Sequence, residues 1–143
     1  MPDVNSVPLI PTMTSNSAPS GVASQNSTYE NYDAYMAFDG NDNTHSCTQG
    51  GGEIQYIQYK FNNPVLAKKC KCIFSNSMPS SIKSFEISAS NDGSNFDTLY
   101  ETSSVSLENN LSLDNNNYYT YYRFSASLSN GLECKTIQLY GIK

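Results

Sequence analysis

The richest oxygen cluster in the sequence is Asp39-Gly40-Asn41-Asp42-Asn43-Thr44. Hard cations such as Ca²⁺ take about six to eight oxygens from carboxylates, carbonyls and hydroxyls, and a tight glycine turn lets backbone carbonyls converge on them. The segment is not an EF-hand loop. Asp39, Asn41 and Asn43 fit its first three positions, but Thr44 stands where glycine is required and Gly50 where the closing glutamate should be. An ordinary turn, in which Asp and Asn side chains cap their own backbone, accounts for the same residues without a metal. Either way the expected role is to stiffen a loop.

Catalysis finds little support beside it. His45 is the single histidine, and Cys47 follows closely, but a nucleophile needs an oriented base and oxyanion donors, and nothing nearby signals them. Asp39 and Asp42 could mimic a glycosidase carboxylate pair, yet their shared tight turn makes metal or turn service the better explanation. No H-E-x-x-H, G-x-S-x-G or lysine-bearing phosphate loop occurs in the sequence. Of the four cysteines, Cys70 and Cys72 lie two apart on an expected strand and cannot bridge each other. That leaves small buried thiols, or a single bridge such as Cys72 to Cys134.

The elements that must carry these residues are strands. Ile57, Tyr59 and Phe61 alternate with Gln58 and Lys60, and the same period recurs at Cys70–Phe74, Phe85–Ala89, Tyr122–Ala126 and Ile137–Leu139. Between them fall turn clusters: "NDN", "QGGG", "NNP", "SNSMPSS", "NDGSN", "LDNNN" and "LSNG". Asp92-Gly93, flanked by two strand patterns, signals a hairpin because glycine accepts the positive φ of the turn. Only "NYDAYMAFDG" could hold a helical turn. The pattern predicts an all-β sandwich over residues 9–143, with residues 1–8 as an extended lead-in or linker remnant.

Charge narrows the partners. Eight basic against thirteen acidic residues give a formal charge of −5, which repels nucleic acid and anionic lipid surfaces. No window approaches the roughly 20 apolar residues of a membrane span, and the N-terminus lacks the basic and apolar regions of a signal peptide. The expectation is a module of a longer chain, or one that leaves the cell by a leaderless route.

Several stretches, taken in order, resemble the discoidin or coagulation factor V/VIII type C domains, and especially the family-32 carbohydrate-binding modules. They are "SGVASQNSTY", "AYMAFDGNDNT", "YIQYKFNNPV", "SFEISASNDGSNFDTLYE", "YYRF" and "IQLYG". The resemblance implies a jelly-roll β-sandwich of about eight antiparallel strands, with ligand-binding loops at one end. The lead-in "IPTMTSNSAPSGVAS" is similar to that of modules in phage tail proteins and Gram-positive surface proteins. Two departures stand out: His45-Ser46 and Tyr56 occupy places where the family often has tryptophan.

The resemblance also implies a structural Ca²⁺ held by the Asp39 carboxylate, the Met36 and Asn41 carbonyls, and the Thr44 carbonyl and hydroxyl. Asp42 would help or face solvent. Where relatives close the shell with a glutamate before the last strand, this chain has Thr136, so affinity should fall. In such a fold the ligand end takes Tyr29, Tyr32, His45, Asn76 and Tyr118, because aromatic faces pack on sugar C–H patches and planar polar groups pair with hydroxyls. The competing expectation is that Tyr29, Tyr118 and Tyr32 pack partly against the core, foremost the first two, and that His45 serves as a plain surface hydrogen-bonder. The resemblance thus implies a non-catalytic, lectin-like adhesion module that attaches a larger protein or phage particle to cell-surface glycans, at a cell or virion surface. The alternative is a protein-docking module without a sugar ligand. Membrane binding is disfavoured by the Asn-, Ser- and Gly-rich loops and the negative charge.

Overall fold

The alternation through Ile57, Tyr59 and Phe61 continues further than the sequence suggests. In the computed structural model, which describes residues 7–143, one strand, β3 (Ile54–Phe74), runs straight through Asn62-Asn63-Pro64. The expected "NNP" turn is instead a bend, because proline has no N–H for a ladder and the pairing must break around it. Register with β7 (Tyr119–Ser127) slips between Lys60 and Val65. The buried Tyr122 hydroxyl repairs the break, donating to the Val65 carbonyl at 2.7 Å and accepting from the Ala67 N–H at 3.2 Å. Burial pushes that phenol up to about 12.

The bend lets β3 serve two sheets. Its first half lies in a five-stranded antiparallel sheet of order β1-β3-β7-β4-β5, with β1 at Val22–Gln25, β4 at Ser84–Ser90 and β5 at Asp97–Thr102. Its second half pairs with β6 (Glu108–Ser112) and with β8 (Glu133–Ile142), whose far side carries the short β2 (Ser46–Cys47). The all-β fold expected from the pattern is therefore present, with the eight strands that the resemblance implies. A 3-10 turn occupies Ala34–Ala37, inside the segment expected to be helical. The four-residue helix α1 (Met78–Ser81) lies within "SNSMPSS", which the pattern reads as a turn.

Aromatic rings from both sheets fill the interior. Phe74 meets Phe85 edge-on at 5.5 Å, and Phe38 tilts against Tyr59 and Phe124. Each such burial is worth roughly 1.5–3 kcal/mol. Cys70, Cys72 and Cys134 are buried free thiols, so the Cys72–Cys134 bridge does not form. A hydrogen bond between those two thiols, together with burial, raises Cys72 well above the usual thiol range.

The registers define two ends. Ile54, Ser127 and Ser84 stand side by side at one, and Lys60, Tyr121 and Ser90 at the other. Of the expected lead-in, residues 1–6 lie outside the described residues, while Pro8 bridges to Tyr140. Among the described residues no helix is long and apolar enough to cross a membrane.

Candidate functional site

The pairing of β2 with the start of β8 sets Cys47 opposite Glu133 and carries His45 to the same place, with Nε2 3.1 Å from Glu133 Oε1. The loop after β1 then lies against β2: Tyr29 N–H donates to the Cys47 carbonyl at 2.9 Å, and Cys47 N–H to the Tyr32 carbonyl at 3.1 Å. Gln25 pegs this loop from below, its amide donating to Thr28 Oγ1 and the Tyr32 carbonyl. Within the turn Glu30 holds φ at 50°, a left-handed conformation that costs a non-glycine residue roughly 1–2 kcal/mol.

The outcome is a row of near-parallel rings. Tyr29 and Tyr32 stack with centroids 6.2 Å apart and planes 4° from parallel, and Tyr32 and His45 at 4.6 Å and 15°. Tyr29 does not pack into the core; it is 47% exposed. Beside it opens a shallow depression of about 320 Å³, lined by Tyr29, Thr48, Met78, Gly131 and Glu133 among others. Its floor depends on close backbone approach: a Cβ on Gly131 would stand 2.1 Å from the Thr48 carbonyl oxygen. Thr48 Oγ1 accepts from Leu132 N–H at 2.8 Å, locking the two loops together.

The structure thus unites Tyr29, Tyr32 and His45. Asn76 is exposed on the segment entering α1, next to Ser77, which lines the depression. Tyr118 is not part of this group. It is exposed at the opposite end of β7, where its carbonyl accepts from the Asn91 side chain. Glu133, Thr48 and Gly131 escaped the sequence reading, because the contacts that give them their role join distant segments, as in Leu132 to Thr48, 84 residues apart, and Ser46 to Cys134, 88 apart.

His45 and Cys47 do not form a nucleophile and base. His45 faces Glu133, and the Cys47 thiol donates to the Thr48 carbonyl at 3.2 Å. Burial, aided by the Glu133 charge, pushes that thiol up to about 11, so at neutral pH it carries its proton and is a poor nucleophile.

In the 39–44 loop, Asn41 N–H donates to Asp39 Oδ1 at 3.0 Å and Asn43 N–H to Asn41 Oδ1 at 2.9 Å. Thr44 Oγ1 lies 2.5 Å from Asp39 Oδ2 and 2.9 Å from the Asn41 carbonyl oxygen. The Thr44 N–H also donates to the Asn41 carbonyl at 3.2 Å, so the loop's own donors serve most of its oxygens, as in an Asx-type turn. Thr136 does reach the loop, but its hydroxyl donates to Asp42 Oδ1. Met36 sits in the 3-10 turn just before Asp39.

Comparison with solved structures identifies related folds at low identity. Chitosan-binding module 1 of a chitosanase/glucanase from Paenibacillus sp. IK-5 superposes with a TM-score of 0.75 at 21% identity, over 88% of this chain and 98% of that one. A Clostridium perfringens module, CpGH89CBM32-5, in complex with GalNAc-β-1,3-galactose gives 0.69 at 19%, over 85% and 95%. CBM32-3 from a family 31 glycoside hydrolase of the same organism gives 0.67 at 16%, over 82% and 87%. No curated protein matches the sequence. Residues 20–126 match the family model of the F5/8 type C domain, and on that span, most of the sandwich, the chain belongs to the F5/8 type C domain family.

Proposed function

We propose that this chain is a non-catalytic carbohydrate-binding module that attaches a larger protein to glycans of a cell surface, working outside the cell. The observation that carries this reading is the row of Tyr29, Tyr32 and His45, with Tyr29 presenting an open face beside a shallow depression of mixed lining, Met78 next to Thr48 and Glu133. A sugar ring would lay its C–H patch on Tyr29 and direct hydroxyls to Glu133 and Asn76 on the rim. The likeness in fold to modules bound to chitosan-type and GalNAc-galactose ligands supports it. The depression is shallow, so single-site affinity would be low and would rise through multivalent display.

A structural Ca²⁺ belongs to the same reading. The Asp39 carboxylate, the Asn41 carbonyl and the Thr44 hydroxyl would hold it, joined by the Met36 carbonyl, with Asp42 backed by Thr136 in place of a second direct carboxylate. The Asp39 carboxylate keeps lone pairs beyond the two hydrogen bonds it accepts, which supports such an ion. The cation would stiffen the segment that delivers His45. Adding Ca²⁺ to metal-stripped protein, at a hundredfold excess over Kd, should raise Tm by about 9 °C; an unchanged melting curve removes the ion from the account.

A glycan array, run with and without chelator, tests the main reading. The wild-type chain should retain a defined set of glycans, and Tyr32→Ala should lose at least about tenfold in retention while keeping its fold, since the central ring holds the other two in line. Silence of the folded wild type across the array would favour protein docking instead. Equal retention by Tyr32→Ala would place the ligand elsewhere.

A further inference from the structure

The outer face of the five-stranded sheet carries a second, larger depression, an open groove of about 780 Å³. Register builds it. Tyr56, Ser125, Glu86 and Glu101 stand in one row across β3, β7, β4 and β5, and Gln58, Arg123 and Ser88 in the next. The middle strands contribute four serines, Ser84, Ser88, Ser125 and Ser127, which form a low floor beside the longer side chains of Glu86 and Arg123.

Arg123, the single arginine of the chain, is fixed at one side of this groove. Its guanidinium lies 4.1 Å from the Tyr56 ring centroid and 4.0 Å from that of Phe96, and its Nε donates to Gln58 at 3.0 Å. Both faces and one edge are occupied, while its two Nη groups have no partner among the described residues. A planar donor held this way has little freedom left to lose on binding.

The floor has unused capacity as well. Ser88 is 4% exposed and lines the groove, yet its hydroxyl takes no partner among the described residues and is not sealed from the surface. A hydroxyl so deeply placed and unpaired invites a polar ligand. Glu86 and Glu101 face each other directly across β4 and β5. Like charges in that arrangement are unfavourable, and among the described residues no cation pairs with either. Glu86 accepts one hydrogen bond, from Thr98.

The groove therefore holds two carboxylates against one guanidinium, in a chain of net charge −5. An added polypeptide strand would use the backbone ladder of a sheet edge. This face offers hydroxyls, carboxylates and a flat donor instead, set among the apolar surfaces of Ile54 and Phe96 on which sugar C–H patches can lie. We propose that the outer face of the five-stranded sheet is a second binding site, taking an oligosaccharide that is rich in hydroxyls and bears protonated amines. Its ammonium group sits between Glu86 and Glu101. Its hydroxyls pair with the serine floor and the Arg123 Nη groups. The site stands apart from the Tyr29–Tyr32–His45 row and does not depend on it.

The test is an amide-resolved NMR titration of the ¹⁵N-labelled chain with glucosamine trimer and, separately, with its fully N-acetylated counterpart. The glucosamine trimer should shift the amides of Ser88, Arg123 and Ser125, and added salt should weaken the effect. The N-acetylated trimer, lacking the charge, should leave these amides in place. The double variant Glu86→Gln/Glu101→Gln should bind the amino sugar about tenfold more weakly with its spectrum otherwise dispersed as in the wild type. Tyr29→Ala should keep the sheet-face shifts, so that loss of the loop-end site and loss of this one give different spectra. Absence of sheet-face shifts at millimolar trimer, equal shifts from both trimers, or shifts confined to the segment around Tyr29 and Glu133 would each overturn the proposal.

Discussion

At the loop end, Tyr29, Tyr32 and His45 meet because segments far apart in sequence are hydrogen-bonded to one another and pinned by glycine contacts. On the outer sheet face, Tyr56, Arg123 and Glu86 meet because they occupy neighbouring register positions of paired strands. The first arrangement depends on where the backbone can approach; the second depends on side chains whose places the ladder already sets. A change that adds volume to the backbone should therefore damage the loop end, and one that alters side-chain shape should damage the sheet face.

Gly131→Ala is the harshest way to separate them. Its Cβ would meet the Thr48 carbonyl oxygen at 2.1 Å and the Cys47 sulfur at 3.2 Å, and the Thr48 backbone cannot withdraw without straining the Thr48–Leu132 hydrogen bonds. Overpacking of this kind costs about 1–3 kcal/mol, and backbone against backbone puts the expected loss at the upper end. Denaturant unfolding should show that loss, with glycan retention falling while the Arg123 environment stays as it was. A variant of wild-type stability would mean that the 48–52 and 129–132 loops are not interlocked as described.

Arg123→Lys acts on the other region and more gently. Lysine keeps the charge but loses the plane that lies between Tyr56 and Phe96, so the stacking contribution, about 1 kcal/mol, should largely go. Global stability should fall by about that amount. Faster hydrogen exchange should appear in residues 91–96, the segment that Phe96 anchors to the sheet, and the loop-end amides should not change. Unchanged exchange there would show that the hairpin holds itself in place.

The same contrast explains what the sequence revealed. Strand periodicity located Ile57, Phe85 and Phe124 correctly, because alternation is a local consequence of burying one face. It misread Asn62-Asn63-Pro64, since a bend that moves a strand between sheets and a turn that ends it use the same residues; the Tyr122 hydroxyl that decides between them lies 57 residues away from Val65. At the loop end, Tyr29, Tyr32 and His45 were legible as residue types suited to sugars. Glu133 and Gly131 were not, because their role comes from a pairing across the whole fold. Tyr118 is exposed, as its loop composition suggests, but lies at the end away from Tyr29, because composition says that a residue is exposed and strand direction says at which end. The groove over Ser88 left no local signal, since serines on alternate positions look like any solvated face.

The smallest expected effect concerns the turn that carries Phe96 across Arg123. Asp92 organises it: Oδ1 accepts from the N–H groups of Ser94 and Asn95, both at 2.8 Å, and Gly93 takes φ of 77°. The Asn95 N–H foremost, then that of Ser94, hold the Asp92 carboxyl well below the usual carboxylate range. A carboxyl whose native pKa is depressed adds stability above its unfolded value, about 3.9, and loses it progressively as pH falls toward the native value. Asp92→Asn keeps an oxygen for the same donors but not the charge. Its Tm should therefore lie slightly below that of the wild type at pH 7, and the gap should close as the pH is lowered from about 4 to about 2. Melting curves across that interval check it. A gap independent of pH would mean that shape rather than charge holds the turn, and the rigidity of the Tyr56–Arg123–Phe96 sandwich would then rest on the stacked rings alone.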